Sequence, residues 1–164
     1  MVLGTGTGAM AKTDLLVYTA VEADELKGFK NAFEADYPDI NIKWVRDSTG
    51  IITSKLLAEK ANPKADIVWG LAATSLMLLG NEGYFQGYAP KGLKKLDSKY
   101  YDTKNNPPQW VGQRAWIASI CYNTVEAGKH NLPLPTSWAD LTKPVYKGHV
   151  IMPNPNSSGT GFLD

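Results

Sequence analysis

Two runs of hydroxyl residues and glycine have the make-up of an anion site: Ser48-Thr49-Gly50 and Ser157-Ser158-Gly159-Thr160-Gly161. Both stand where a helix is expected to begin, and about four backbone N–H groups of a first turn have no internal partner. The helix dipole adds roughly half a positive charge there. Free amides, hydroxyl donors and glycines that permit close approach suit a phosphate, phosphonate or carboxylate. Simple N-capping is the plainer account of Ser48-Thr49-Gly50, since a cap needs only one hydroxyl. The second run supplies three, more than capping uses. Neither is a P-loop, because no Gly-Lys-Ser/Thr follows at the required spacing.

A cationic partner has candidates too. The indoles of Trp69 and Trp110 offer faces for stacking or cation–π contact with an ammonium group. Trp44, Trp116 and Trp138 read as core or hinge packing. Glu22 could pair with such a cation, although a first-turn helix charge is its plainer account. Catalysis finds little support: no Ser/His/Asp set has a recognisable elbow, and paired carboxylates are absent from the strand ends. His130 and His149 are isolated in sequence and lack a Cys or carboxylate cluster at ligand spacing, which argues against zinc. The single cysteine, Cys121, cannot form an intrachain disulfide and sits in an apolar run that predicts a buried, inert thiol.

These residues need elements to position them. The apolar run at 15–19 predicts a strand buried on both faces. Val21, Leu26, Phe29, Phe33 and Tyr37 then mark one face of a helix that Pro38 ends. Ile40, Ile42, Trp44 and Val45 make a second strand. A helix through about residue 61 follows, with Ile52, Leu56 and Leu57 inward, and Asn62-Pro63 stops it. Residues 66–69 form a third strand, Gly70-Leu71-Ala72 a turn, and residues 74–79 a short helix. This β-α-β-α-β-α order is the sign of a mostly parallel α/β sheet. Residues 84–112 show no steady period and read as loop. A fourth strand is expected at 115–122, a short helix at 136–141 and a last strand at 149–152. Ligands of such sheets bind beyond the carboxyl ends of the strands, where Thr19-Ala20, Ser48-Thr49-Gly50, Trp69-Gly70-Leu71 and Ser157 to Gly161 should meet.

The chain has 164 residues, 43% hydrophobic and 20% charged, with 17 Lys plus Arg against 16 Asp plus Glu. That composition excludes disorder, collagen and coiled coil. A net charge of +1 is far below what binding a nucleic-acid backbone by bulk electrostatics needs. No apolar run approaches the roughly 20 residues that span a bilayer. Residues 1–12 lack the basic start and apolar stretch of a signal peptide and read as an appended or linker segment. Gly4, Gly6 and Ala9 within it mimic the dinucleotide fingerprint, but no strand precedes them.

Several motifs then fit one pattern: Leu16-Val17-Tyr18-Thr19-Ala20, Asp66-Ile67-Val68-Trp69-Gly70, Trp138-Ala139-Asp140-Leu141, Pro144-Val145-Tyr146-Lys147-Gly148, Met152-Pro153-Asn154-Pro155 and Ser157 to Phe162. From about Thr13 onward the chain resembles the solute-binding proteins of bacterial ABC importers, in the branch of ferric-iron and 2-aminoethylphosphonate binders. The resemblance implies a two-lobed periplasmic-binding-protein clamshell, here as a truncated N-terminal half. Residues 13–112 would be lobe one, 113–122 a hinge crossover strand and 123–164 the start of lobe two. It implies a periplasmic, mature form, a membrane permease as partner, and the remainder of the clamshell or a fusion partner to complete the fold. By position, Thr19, Ala20, Ser48, Thr49, Gly50, Trp69, Gly70 and Leu71 would contact the ligand from lobe one, and Ser157, Ser158, Gly159 and Thr160 would hold the anion from lobe two. No cofactor is implied. The expected ligand is a small aminated anion, 2-aminoethylphosphonate or an ω-amino acid such as γ-aminobutyrate. The alternatives are a ligand sensor fused into such a protein, a ferric-iron binder of the same branch and, with less support, a phosphate-handling enzyme.

Overall fold

A parallel sheet needs a crossover after each strand, and the first half of this chain supplies them in turn. The computed structural model describes residues 11–163. The chain divides into two compact units, one ending at Arg114 and one beginning at Ala115. The segment 1–12 lies almost wholly outside the described residues, as does the Gly4-Gly6-Ala9 pattern.

In the first unit, β1 (Thr13–Thr19), β2 (Ile40–Arg46) and β3 (Ile67–Trp69) form a parallel sheet in the order β2-β1-β3. The register sets Val17 beside Trp44 and Ile67, and Thr19 beside Arg46 and Trp69. Because side chains alternate along a strand, Tyr18 and Val68 face one way and Val17, Trp44 and Trp69 the other. The Tyr18 face packs on α2 (Thr49–Ala58) and α3 (Ala73–Asn81), where Tyr18, Ile52, Leu56, Leu71 and Leu79 form the buried core. The Tyr18 hydroxyl donates to Glu59 at 2.9 Å and the Tyr84 hydroxyl to the Leu56 carbonyl at 2.6 Å. Polar groups entering this core thus arrive with partners.

The opposite face carries α1 (Ala23–Asp36). Only Leu26 of that helix is buried. Phe29 and Phe33 share an apolar groove of about 280 Å3 with Trp44 and Trp69. Trp69 meets Phe29 edge-on at 4.7 Å and stacks on Trp44 at 5.5 Å. Right-handed crossovers explain the two layers: β1 to β2 and β2 to β3 run in opposite directions across the sheet, so their helices land on opposite faces.

Beyond β3, residues 84–112 carry two 3-10 turns, Leu93–Lys95 and Ser98–Tyr100, and a bridge between Tyr101 and Val111. Asp102 organises them. It is 5% exposed and accepts from the Lys104 N–H, the Asn105 side-chain amide and the Gln109 N–H at 2.8–3.0 Å. Burial pushes its carboxyl up, but these hydrogen bonds prevail and hold it below the ordinary value.

The second unit contains α4 (Thr124–Lys129), 3-10 turns at Trp138–Thr142 and Pro144–Tyr146, and α5 (Gly159–Leu163). Asn123 caps α4 by accepting from Val125 and Glu126. Ser137 and Asp140 form a reciprocal capping box. Lys143 beside Asp140, followed by Thr136 donors, holds that carboxyl far below its usual range.

Several expectations are overturned here. Neither 115–122 nor 149–152 is a strand. Their apolar content was right for a buried strand, but strand structure requires a hydrogen-bonded neighbour, and none lies beside them among the described residues. Ile117 and Ile151 are accordingly 86% and 97% exposed. Cys121, in the same segment, is exposed rather than buried. Trp116 and Trp138 are exposed rather than core, as is Leu57. The helix expected at 136–141 is a 3-10 turn, cut short because Pro144 follows and cannot donate a helical hydrogen bond.

Candidate functional site

The ends of β1 and β3 lie side by side, yet their following helices leave to opposite faces: α1 to one, α3 to the other. That is a topological switch point, where an open α/β sheet leaves a crevice at its carboxyl edge. Gly70 turns the chain there with a φ of +70°, and a Cβ on it would collide with Cγ2 of Val21. Only glycine permits this approach and this backbone region together.

Three helices start at this edge without a side-chain cap. The N-cap positions of α1, α2 and α3 are Glu22, Ser48 and Ala72, and none makes a side-chain cap hydrogen bond. In the second unit, by contrast, Asn123 and Ser137 both cap in full. Side-chain caps are thus missing from all three helices that begin at the carboxyl edge, though not there alone, since the turns at Leu93–Lys95 and Pro144–Tyr146 also lack one. The three ends also differ in charge. The first turn of α1 holds Asp24 and Glu25, whereas the first turns of α2 and α3 hold no acid. The α2 and α3 ends therefore favour an anion, while acids at the start of α1 are met by arginines, Glu22 by Arg46 at 2.8 Å and Glu25 by Arg114 at 2.7 Å.

The sequence-derived site residues are distributed unevenly around this edge. Ser48 and Thr49 are half-buried at the start of α2, with Gly50 next to them. Ser48 keeps its hydroxyl out of the cap, while its N–H donates to Asp47 at 2.7 Å. Thr19 is fully buried, and its Oγ1 accepts from the Val21 N–H at 3.0 Å. Its side chain shapes the turn, and Ala20 beside it packs against the core. Leu71 sends its side chain into the core, so only its backbone faces the edge. Trp69 turns its indole into the aromatic groove with Phe29 and Trp44. Trp110 is half-buried in the loop that Asp102 ties, its carbonyl accepting from the Asp102 N–H at 3.0 Å.

In the second unit, Ser158 accepts from the Gly161 N–H at 3.2 Å and caps α5. Ser157 bonds weakly to the Asn154 carbonyl at 3.5 Å. Gly159 is half-buried and Thr160 exposed.

Sequence reasoning missed one residue. Arg46, the last of β2, donates from Nε to the Val21 carbonyl at 3.1 Å and from Nη2 to Glu22 at 2.8 Å. An arginine closing a strand looks like any surface charge. Only the register that sets it beside Thr19 brings it to the crevice. Among the described residues no three His, Cys, Asp or Glu side chains gather to hold a metal.

A parallel sheet with uncapped helix ends at its switch point is a frame on which open α/β proteins place their ligand crevices. The family described as bacterial extracellular solute-binding protein matches residues 62–163. The chain belongs to that family. It is 31% identical over 152 residues to a probable ABC transporter periplasmic-binding protein, y4fP of Sinorhizobium fredii, covering 93% of this chain and 40% of that protein. The periplasmic binding protein AfuA of Actinobacillus pleuropneumoniae, solved with exogenous fructose-6-phosphate bound, is 26% identical with a TM-score of 0.73, over 91% of this chain and 47% of its own. The periplasmic binding protein P5PA is 25% identical with a TM-score of 0.69, over 90% of this chain and 47% of its own. The expected α/β fold is thus found, and the chain spans less than half the length of these relatives.

Proposed function

We propose that this chain is the first half of an extracytoplasmic solute-binding protein of an ABC importer, residing in the periplasm and delivering its ligand to a membrane permease. The ligand is a small aminated anion, 2-aminoethylphosphonate or an ω-amino acid such as γ-aminobutyrate. Its anionic head sits at the N-termini of α2 and α3, with Ser48, Thr49 and Gly50 donating. Its ammonium end lies toward Glu22 and the acidic start of α1. The unit ending at Arg114 supplies lobe one, and Ser157 to Thr160 bring further donors from lobe two on closure. Closure is a population shift driven by contacts made only in the closed state.

The observation that carries this reading is that α2 and α3 both begin at the carboxyl edge with no side-chain cap and no acid in the first turn. Calorimetry on the full-length protein with Thr49→Ala tests it. Loss of one donor to a charged group should weaken binding by about 1–3 kcal/mol, and unchanged affinity would move the anion elsewhere. A sugar phosphate is the second reading, favoured by AfuA, whose structure holds fructose-6-phosphate. It would use the same anion subsite but gain nothing from Glu22.

A further inference from the structure

We propose that His130 and His149 form a surface site for a divalent transition metal that prefers right-angled nitrogen ligands, Cu2+ or Ni2+. Far apart in sequence, the two imidazoles come together with ring centroids 4.6 Å apart and planes inclined at 45°. Both residues are exposed, so burial of apolar surface does not account for their approach.

The frame beneath them is fixed. His130 ends α4, its N–H donating to the Glu126 carbonyl at 3.3 Å. His149 follows Gly148, which has a φ of +83°, and its N–H donates to the Tyr146 carbonyl at 2.9 Å. Tyr146 is 5% exposed, and its hydroxyl reaches back to the Pro133 carbonyl at 2.8 Å. Leu132 in turn donates to the Ala127 carbonyl at 2.9 Å. The segment carrying His149 is therefore tied to the segment that leaves α4.

The spacing accommodates one geometry when each ring turns a nitrogen to a shared ion. With a metal–nitrogen bond of about 2.0–2.1 Å, a ring centroid lies about 3.2 Å from the metal, so right-angled ligands put the centroids about 4.5 Å apart. Tetrahedral ligands would separate them to about 5.2 Å. The observed 4.6 Å lies near the right-angled value, the arrangement that tetragonal Cu2+ and Ni2+ prefer. Glu126, one turn before His130, is held by Lys129 at 2.6 Å, which leaves the remaining positions to water.

The test is a Cu2+ titration of the untagged full-length protein, followed by electron paramagnetic resonance. One equivalent should give a spectrum with two coordinated nitrogens. His130→Gln and His149→Gln should each weaken that binding about tenfold or more, with the metal-free melting temperature unchanged. In the wild-type protein, Cu2+ should broaden the imidazole proton signals of these two residues before any others. A spectrum unchanged in the double variant, broadening centred elsewhere, or only the aquo-copper signal would overturn the site.

Discussion

Arg46 and Glu22 face each other at 2.8 Å across the ends of β2 and β1, and the same guanidinium anchors the Val21 carbonyl at 3.1 Å. This pair sets a positive and a negative group side by side at the carboxyl edge, and under the proposed function a zwitterion would engage them by replacing their contact with each other. Glu22→Gln is expected to weaken 2-aminoethylphosphonate far more than inorganic phosphate, because only the former carries an ammonium group. Arg46→Gln should weaken both. Competition calorimetry with the two ligands separates the effects, and equal losses for both in Glu22→Gln would remove it from cation recognition.

Gly70→Ala should destabilise the first unit by about 1–3 kcal/mol, the cost of a residue held in a sparsely populated backbone region. A clash with Val21 adds to it. Thermal denaturation of Gly70→Ala and of Gly70→Ala combined with Val21→Ala checks the account. The second change should recover part of the loss by removing the colliding methyl, while the backbone strain remains.

Asp102→Ala removes the acceptor of three hydrogen bonds and should cost about 2–3 kcal/mol, since bonds to a charged group are worth more than neutral ones. Hydrogen exchange offers the readout. The Lys104 and Gln109 amides should exchange faster in the variant, while β1 amides change little.

Stability should fall on both sides of neutrality. Asp102 is held below its ordinary value, as are Glu25 beside Arg114 and Glu59 beside Lys55. A carboxylate with a lowered folded pKa contributes stability that is present above its unfolded value, about 4, and lost as pH falls through the folded one. Burial, followed by Glu59, raises Tyr18, and burial raises Tyr84. Their contribution is complete below about pH 10 and lost as pH rises further. Denaturant titrations should give a plateau from about pH 5 to 9, with losses beyond each end.

The sheet was legible because each strand is an apolar run with a stop beside it: Pro38 before β2, Pro63 before β3, Gly70 after it. The hydroxyl-glycine runs were legible because their composition is chemistry in itself. Placement was not. Whether Thr19 faces ligand or turn depends on a single hydrogen bond to Val21, and whether Trp69 faces crevice or groove depends on strand parity. Arg46 gains meaning only from its register with Thr19. At 115–122 the apolar pattern speaks of burial, but pairing depends on a neighbour that pattern does not reveal.

The most direct test of the central claim is calorimetry of the full-length protein against 2-aminoethylphosphonate, γ-aminobutyrate, fructose-6-phosphate, phosphate and ferric citrate. The account predicts saturable binding of an aminated anion, weakened in Thr49→Ala and in Glu22→Gln. Saturable binding of ferric citrate or fructose-6-phosphate, with no response to either aminated ligand, would contradict it.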